Sequence, residues 1–128
     1  MKYLNPENIL QIHLEVIEAT GGLDGLRDLG LLESATARPQ ASFAGKDLYL
    51  NIFLKSASLA HSLILNHPFV DGNKRTAVSA VIVFLEQNRK ELEATQEEFV
   101  NFALWIEGER PEIKKIATWI RQHSRPLK

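Results

Sequence analysis

The sequence predicts an all-α single domain of five or six helices over residues 1–128, and three observations carry that expectation. Apolar residues recur at helical rather than alternating spacing in most segments. Capping residues, prolines and glycines fall at the ends of those segments. Two neighbouring stretches in the middle are apolar on nearly every side, as helices at the centre of a domain are. Hydrophobic residues make up 45% of the chain and charged residues 24%, enough apolar surface to offset the ordering entropy that leaves more polar chains disordered. At 128 residues the chain suits one ordinary domain and is too short for two.

The first helix opens at Asn5, a capping residue, with Pro6 at the first helical position and Glu7 at the positive end of the dipole. Ile9, Ile12, Val16 and Ile17 follow helical spacing until Gly21-Gly22 stops it. Asp24-Gly25 marks a loop, and Leu31, Leu32 and Ala35 predict a short second helix ending before Pro39. Pro39 to Asp47 has no apolar period and predicts an exposed loop or short hairpin. Leu48 to Asn66 holds neither Pro nor Gly and predicts the first central helix. Its partner runs from Asn73 to Gln87, where a long apolar run rich in Ala and Leu favours helix over strand. Arg89 to Thr95 reads as a polar connection with Leu92 extended. Thr95 then caps a helix, Glu98 completes a capping box, and Gly108 ends it. Pro111 starts the last helix, in which Ile113, Ile116, Ala117 and Ile120 share a face. Ser124 to Lys128 reads as a frayed tail.

Composition removes several function classes. A net charge of -1 disfavours a protein that grips many phosphates of a duplex, so direct nucleic-acid binding is not expected. Without cysteine there is no disulfide framework, thiolate nucleophile or zinc ribbon. The most apolar stretch in the middle, Ala77 to Leu85, contains Ser79 and falls far short of the roughly 20 residues that span a bilayer. Met1 to Pro6 shows no secretory h-region. The expectation is a soluble, cytoplasmic protein that does not associate with membranes.

Chemistry concentrates in His67-Pro68-Phe69-Val70-Asp71-Gly72-Asn73-Lys74-Arg75, which joins the two apolar helices and so sits at the mouth of the core. Gly72 permits a tight turn and leaves room for a ligand. The helix that follows presents unpaired N–H groups at the positive end of its dipole, an anion site before any side chain is counted. Lys74 and Arg75 add full charges, and the Arg fork suits phosphate oxygens. Asp71 would repel phosphate alone but makes sense as a ligand to Mg²⁺ beside phosphates. His67 is the one group there able to take a hydroxyl proton near neutral pH. Base, metal ligand and phosphate cradle are the parts of a phosphoryl- or nucleotidyl-transfer site. On spacing alone a second reading stays open, in which Gly72-Asn73 is an ordinary helix-start turn and the two cations are solvated.

The stretch resembles the signature loop of the Fic/Doc superfamily, His-x-Phe-x-Asp/Glu-Gly/Ala-Asn-x-Arg, and most closely its Doc (death on curing) toxin branch, where Lys stands at the position of Lys74. Gly21-Gly22, Gly30-Leu31-Leu32-Glu33-Ser34-Ala35 and Ala37-Arg38-Pro39-Gln40-Ala41 are similar to the upstream region of the same branch. The resemblance implies a compact Fic-type helical bundle with the two central helices flanking the motif loop. It implies His67, Asp71 and Arg75 as catalytic residues, Asp71 as the Mg²⁺ ligand, and Gly72, Asn73, Lys74 and Arg75 as the phosphate cradle of ATP. Ser79 falls where the branch carries a polar phosphate contact. Phe69 would anchor the loop in the core. A flap at Ser42, Phe43, Ala44, Gly45 and Lys46 would align the target peptide.

Two departures from the adenylyl-transferring pattern bear on the reaction. Lys74 stands where those enzymes carry Gly, and Val78 where they carry a second Arg. Both match Doc toxins, which resemble Mg-ATP-dependent Ser/Thr kinases that phosphorylate a threonine of elongation factor Tu and halt translation. AMP transfer to a protein hydroxyl is the first alternative, and a non-catalytic peptide-binding domain of the same fold is the second. The family's self-inhibitory helix carries Ser/Thr four residues before a Glu. Here Ala103 precedes Glu107 at that distance, so restraint is expected from a separate Phd-like antitoxin.

Remaining candidates read as structural. His61 and His67 lie about 240° apart around a helix, so they are no metal pair, and His13 and His61 are read as satisfied or surface imidazoles. Nothing specific is assigned to His123. Trp105 and Trp119 read as core or groove aromatics, with a partner-binding role open for Trp119, and Arg38 reads as a surface residue. Glu97-Glu98 is helix-start chemistry.

Overall fold

The computed structural model of the chain describes residues 1–128, and its element order follows the caps. Helix α1 spans Pro6–Thr20 and α2 Leu29–Ala37, followed by a 3-10 turn over Arg38–Gln40. Strands β1 (Ser42–Phe43) and β2 (Lys46–Asp47) form a hairpin. Helices α3 (Ile52–Asn66) and α4 (Asn73–Gln87) follow, then β3 (Lys90–Leu92), α5 (Gln96–Glu109), α6 (Ile113–Gln122) and β4 (Ser124–Pro126). Six helices with two small strand pairs make this a mostly α fold. No helix is long and apolar enough to cross a membrane.

Helix α3 is the centre. Ten of its fifteen residues are buried, and it packs most extensively on α4 and α6. Ala57 and Ala60 of α3 and Ala77 and Ala80 of α4 are fully buried; small side chains of this kind let helices approach closely while Leu59, Leu63, Ile64 and Phe84 contribute about 1.5–3 kcal/mol each from burial. Helix α1 covers α4, and α5 closes over α3 and α4. The one buried cation of the core is Lys55, 2% exposed. Its Nζ donates to the Pro39 carbonyl at 2.9 Å and to Asp47 Oδ2 at 3.1 Å, tying the hairpin base to α3. Burial works to lower the Lys55 pKa, but the bonds with Tyr3 and Asp47 outweigh it and leave the value raised.

Local signals place most ends where the sequence reading has them. Asn5 and Asn8 cap each other's backbone N–H at 2.8 and 2.9 Å, and Thr95 and Glu98 do the same at α5. Four expectations need correction. Helix α3 starts at Ile52, not near Leu48, because the Asn51 side chain accepts from Phe53 and Leu54 N–H and leaves Leu48 and Leu50 exposed outside the helix. Helix α5 runs through Gly108 to Glu109; Pro111 bars the residue before it from right-handed helical backbone, and Arg110 turns left-handed with φ 50°. Helix α6 begins at Ile113 with Glu112 as its cap residue, two positions after Pro111. Finally, Ser124–Pro126 is not a frayed tail. It pairs antiparallel with β3, and Arg125 bonds Glu91 at 3.2 Å and Glu93 at 2.8 Å.

Two more residues have definite structural work. His123 stacks on Trp119 with ring centres 3.9 Å apart, and Trp119 stacks on Phe102 at 4.1 Å, so Trp119 seals α5 to α6. Arg38 is half-buried and not on the open surface: it donates to the Tyr49 hydroxyl at 2.8 Å, to His61 Nδ1 at 2.9 Å and to Ser62 Oγ at 3.0 Å. A guanidinium has no lone pair to accept with, so Nδ1 of His61 must be unprotonated. Burial, then the charges of Arg38 and Arg110, hold the His61 pKa below its ordinary value. The unfolded chain therefore binds more protons at His61, and folding loses stability as pH falls through about 6.5. The melting temperature is expected to drop more steeply between neutral and mildly acidic pH in the wild type than in His61→Gln, and equal slopes would contradict this assignment.

Candidate active site

The loop between α3 and α4 is held from three sides by main-chain and buried side-chain contacts. His67 ends α3 in left-handed backbone, φ 49°, and is exposed. Phe69 is 1% exposed and lies face to face with the His13 ring of α1, centres 3.8 Å apart and planes within 5°. The side chain of Asn73 accepts from Phe69 N–H and donates to the Phe69 carbonyl, both at 3.0 Å. The segment after α1 runs antiparallel along the loop: Val70 N–H bonds the Gly25 carbonyl at 3.0 Å, and the Pro68 carbonyl accepts from Arg27 and Asp28 N–H.

Asp71 is fixed by the same neighbours. Its Oδ2 accepts from Leu23 N–H at 3.1 Å, its Oδ1 from Gly72 N–H at 2.8 Å, and its main-chain carbonyl from His13 Nε2 at 2.8 Å. The two backbone bonds, then the charge of Arg75, hold its carboxyl below the usual range, so it is ionised at neutral pH. A Cβ at Gly22, where φ is 116°, would sit 2.8 Å from Asp71 Oδ2, and one at Gly72, where φ is 77°, would press on Ile17 at 3.1 Å. Gly22 thus leaves the carboxylate its place, and Gly72 lets the loop lie close against α1.

Helix α4 starts immediately after Gly72 with no side-chain cap. Its first turn bond is Thr76 N–H to the Gly72 carbonyl at 2.9 Å, which leaves the N–H groups of Asn73, Lys74 and Arg75 without helical partners. Arg75 is exposed and makes no ion pair. Lys74 meets Glu107 of α5 at 3.1 Å. Lys74, Arg75 and Ser79 line one groove of about 650 Å³ between α1, α4 and α5, with Val16, Val78 and Phe99 among its apolar walls. The hairpin turns on Ala44 (φ 52°) and Gly45 (φ 79°), with Phe43 76% exposed.

The Asn73 side chain bonds both main-chain groups of Phe69, while its main-chain N–H, in the first turn of α4, has no helical partner. Sequence reasoning gave His13 no part in the site, reading it as a satisfied or surface imidazole, and left out Arg27 altogether. His13 carried a signal, because it lies four residues after Ile9 on the inner face of α1. It is 2% exposed, a satisfied imidazole whose bond goes to the loop. Arg27 carried none; its guanidinium donates to the carbonyls of Asn66 and His67, both at 2.6 Å. Glu107 lacks the hydroxyl partner of a self-inhibitory helix, yet it pairs with a cation of the loop.

The donor set fits Mg²⁺ with phosphates. A single exposed, ionised carboxylate beside free helix N–H groups suits an ion that takes one or two carboxylates and completes its shell with phosphate oxygens and water. No cluster of three or more acidic or imidazole donors exists for an all-protein metal cage.

The chain is 45% identical over 93 residues to "Toxin Doc" of Mycolicibacterium smegmatis, covering 73% of this chain and 69% of that protein. It is 34% identical over 88 residues to "Protein kinase doc" of Escherichia phage P1, covering 69% of each. The family model described as Fic/DOC matches residues 3–85, which run from the start of the chain through the motif loop and nearly to the end of α4. A signature loop pinned by its own buried phenylalanine and asparagine, with matches along two thirds of the chain, places the protein in the Fic/DOC family.

Proposed function

We propose that the protein is a Doc-type toxin that transfers the γ-phosphate of ATP to a threonine hydroxyl of elongation factor Tu, stopping translation in the cytoplasm. The observation that carries this reading is the loop itself. It sets an exposed imidazole, an ionised carboxylate and an uncapped helix N-terminus flanked by two cations within nine residues. His67 accepts the threonine proton as the oxygen attacks the γ-phosphorus; the bond from that phosphorus to the bridging oxygen breaks, and ADP leaves. The main-chain N–H groups of Asn73, Lys74 and Arg75, with the Lys74 and Arg75 side chains and Ser79, bind phosphate oxygens. Bound at Asp71, Mg²⁺ would supply charge neutralisation to those phosphates.

Kinase rather than AMP transfer is supported by Lys74 and by Val78, which gives the groove an apolar wall where an arginine would hold a diphosphate. The hairpin at Ser42, Phe43, Ala44, Gly45 and Lys46, with its exposed ring, suits alignment of the target peptide. The groove between α1, α4 and α5 suits a segment of a Phd-like antitoxin, since most of its lining is apolar with Lys74 and Arg75 at one edge.

The test is label transfer to purified elongation factor Tu from ATP carrying ³²P at either the γ or the α position. Label from the γ position alone is the expected result. Label from the α position alone would establish AMP transfer instead. No transfer from either position, together with no calorimetric heat for Mg-ATP, would reduce the protein to a peptide-binding domain.

A further inference from the structure

Helix α3 ends under an awkward local sequence. A helix that closes on a left-handed residue is normally finished by the N–H of the residue after it, which turns back to an orphan carbonyl. Here the left-handed residue is His67 and the next is Pro68, which has no N–H to give. Pro68 also bars His67 from continuing the right-handed helix. A left-handed conformation is unfavourable for a side chain with a Cβ, so some other group must hold it.

One residue does so from outside the helix. Arg27 Nη2 donates to the Asn66 carbonyl at 2.6 Å and Nε to the His67 carbonyl at 2.6 Å, while its own main-chain N–H donates to the Pro68 carbonyl at 2.7 Å. Three consecutive carbonyls are thus held by a single arginine. Its positive charge stands at the negative end of the α3 dipole, where a cation is favoured. Arg27 has no carboxylate partner to draw it away, and the pairing of Leu26 with Phe69 and of Val70 with Gly25 keeps its backbone in register with the loop. The residue is exposed, so the hydrophobic core does not depend on it.

We propose that Arg27 is the positioning residue for His67: by replacing the donor that Pro68 lacks, it fixes the left-handed turn that aims the imidazole. This rests on the reading that His67 takes the hydroxyl proton. Arg27 acts through the His67 backbone and touches neither ATP nor the target. The planar fork matters as well as the charge, because an ammonium can satisfy one carbonyl but cannot bridge two in fixed geometry.

The test compares wild type, Arg27→Ala and Arg27→Lys for transfer to elongation factor Tu, for Mg-ATP affinity by calorimetry, and for the His67 Cα chemical shift, which reports its backbone conformation. In Arg27→Ala, kcat is expected to fall about ten- to a hundredfold, the range a small misplacement of a reacting group produces, with KM for ATP and Mg-ATP affinity unchanged. Arg27→Lys is expected to lie between the two, and added ethylguanidinium to restore part of the Arg27→Ala rate. Unchanged kcat in Arg27→Ala would overturn the proposal. So would an equal loss of Mg-ATP affinity, which would make Arg27 a general brace of the loop. If wild type itself transfers nothing, the functional reading fails separately. The chemical shift then decides alone: displacement in Arg27→Ala supports the hold on His67, and no displacement refutes it.

Discussion

His67→Ala is expected to lower the rate of phosphate transfer by about 10²–10⁴-fold, the usual contribution of a positioned general base, while thermal unfolding stays at the wild-type temperature. The separation is expected because the imidazole is exposed and outside the core. His67→Gly sharpens the point. Residue 67 sits at φ 49°, a conformation that costs an L residue roughly 1–2 kcal/mol and glycine almost nothing. The glycine variant should therefore be equally inactive yet at least as stable as wild type. Label transfer and thermal melts on the three proteins check both halves. A His67→Ala protein that transfers phosphate at the wild-type rate would remove the base from the account.

Phe69→Ala is expected to destabilise the fold by about 3–5 kcal/mol, the range for deleting a buried aromatic ring, and to abolish transfer. The ring is 1% exposed and is covered on one face by His13. Its main chain is also clasped by the Asn73 amide. Removing it opens a cavity beneath the loop and leaves His13 without its stacking partner, so Asp71 loses the support that reaches its carbonyl through His13 Nε2. Set against the 5–15 kcal/mol of a typical domain, this loss is large enough to read by urea denaturation. Phe69→Leu keeps most of the apolar volume and should recover much of the stability but less of the activity. A loss below about 1 kcal/mol in Phe69→Ala would contradict the anchoring role, because filling by neighbours would then have closed the cavity.

How much of this could be read from sequence depended on the distance over which each contact acts. The bounds of α1, the span of α4 and the α5 capping box rest on Asn5, Pro6, Gly21, Gly72, Thr95 and Glu98, all acting within a few residues of themselves, and they are legible. The start of α3 was misplaced because Asn51 outcompetes a run of apolar residues that is itself compatible with helix. The C-terminal strand was missed because its partner, residues 90–92, lies more than 30 positions away and leaves no mark on Ser124 to Pro126. The motif loop is legible for the opposite reason: its chemistry is contiguous. Its supports are not. His13 reaches Asp71 across 58 positions and Arg27 reaches His67 across 40, and no spacing rule connects such pairs.

The central claim is that the turn between α3 and α4 holds ATP with its γ-phosphate toward His67. A crystal structure with Mg²⁺ and a non-hydrolysable ATP analogue tests it most directly. The account predicts a γ-phosphorus beside the His67 imidazole, with Mg²⁺ on Asp71 and phosphate oxygens on the first turn of α4. An α-phosphorus beside His67, or a nucleotide bound away from that turn, would contradict it.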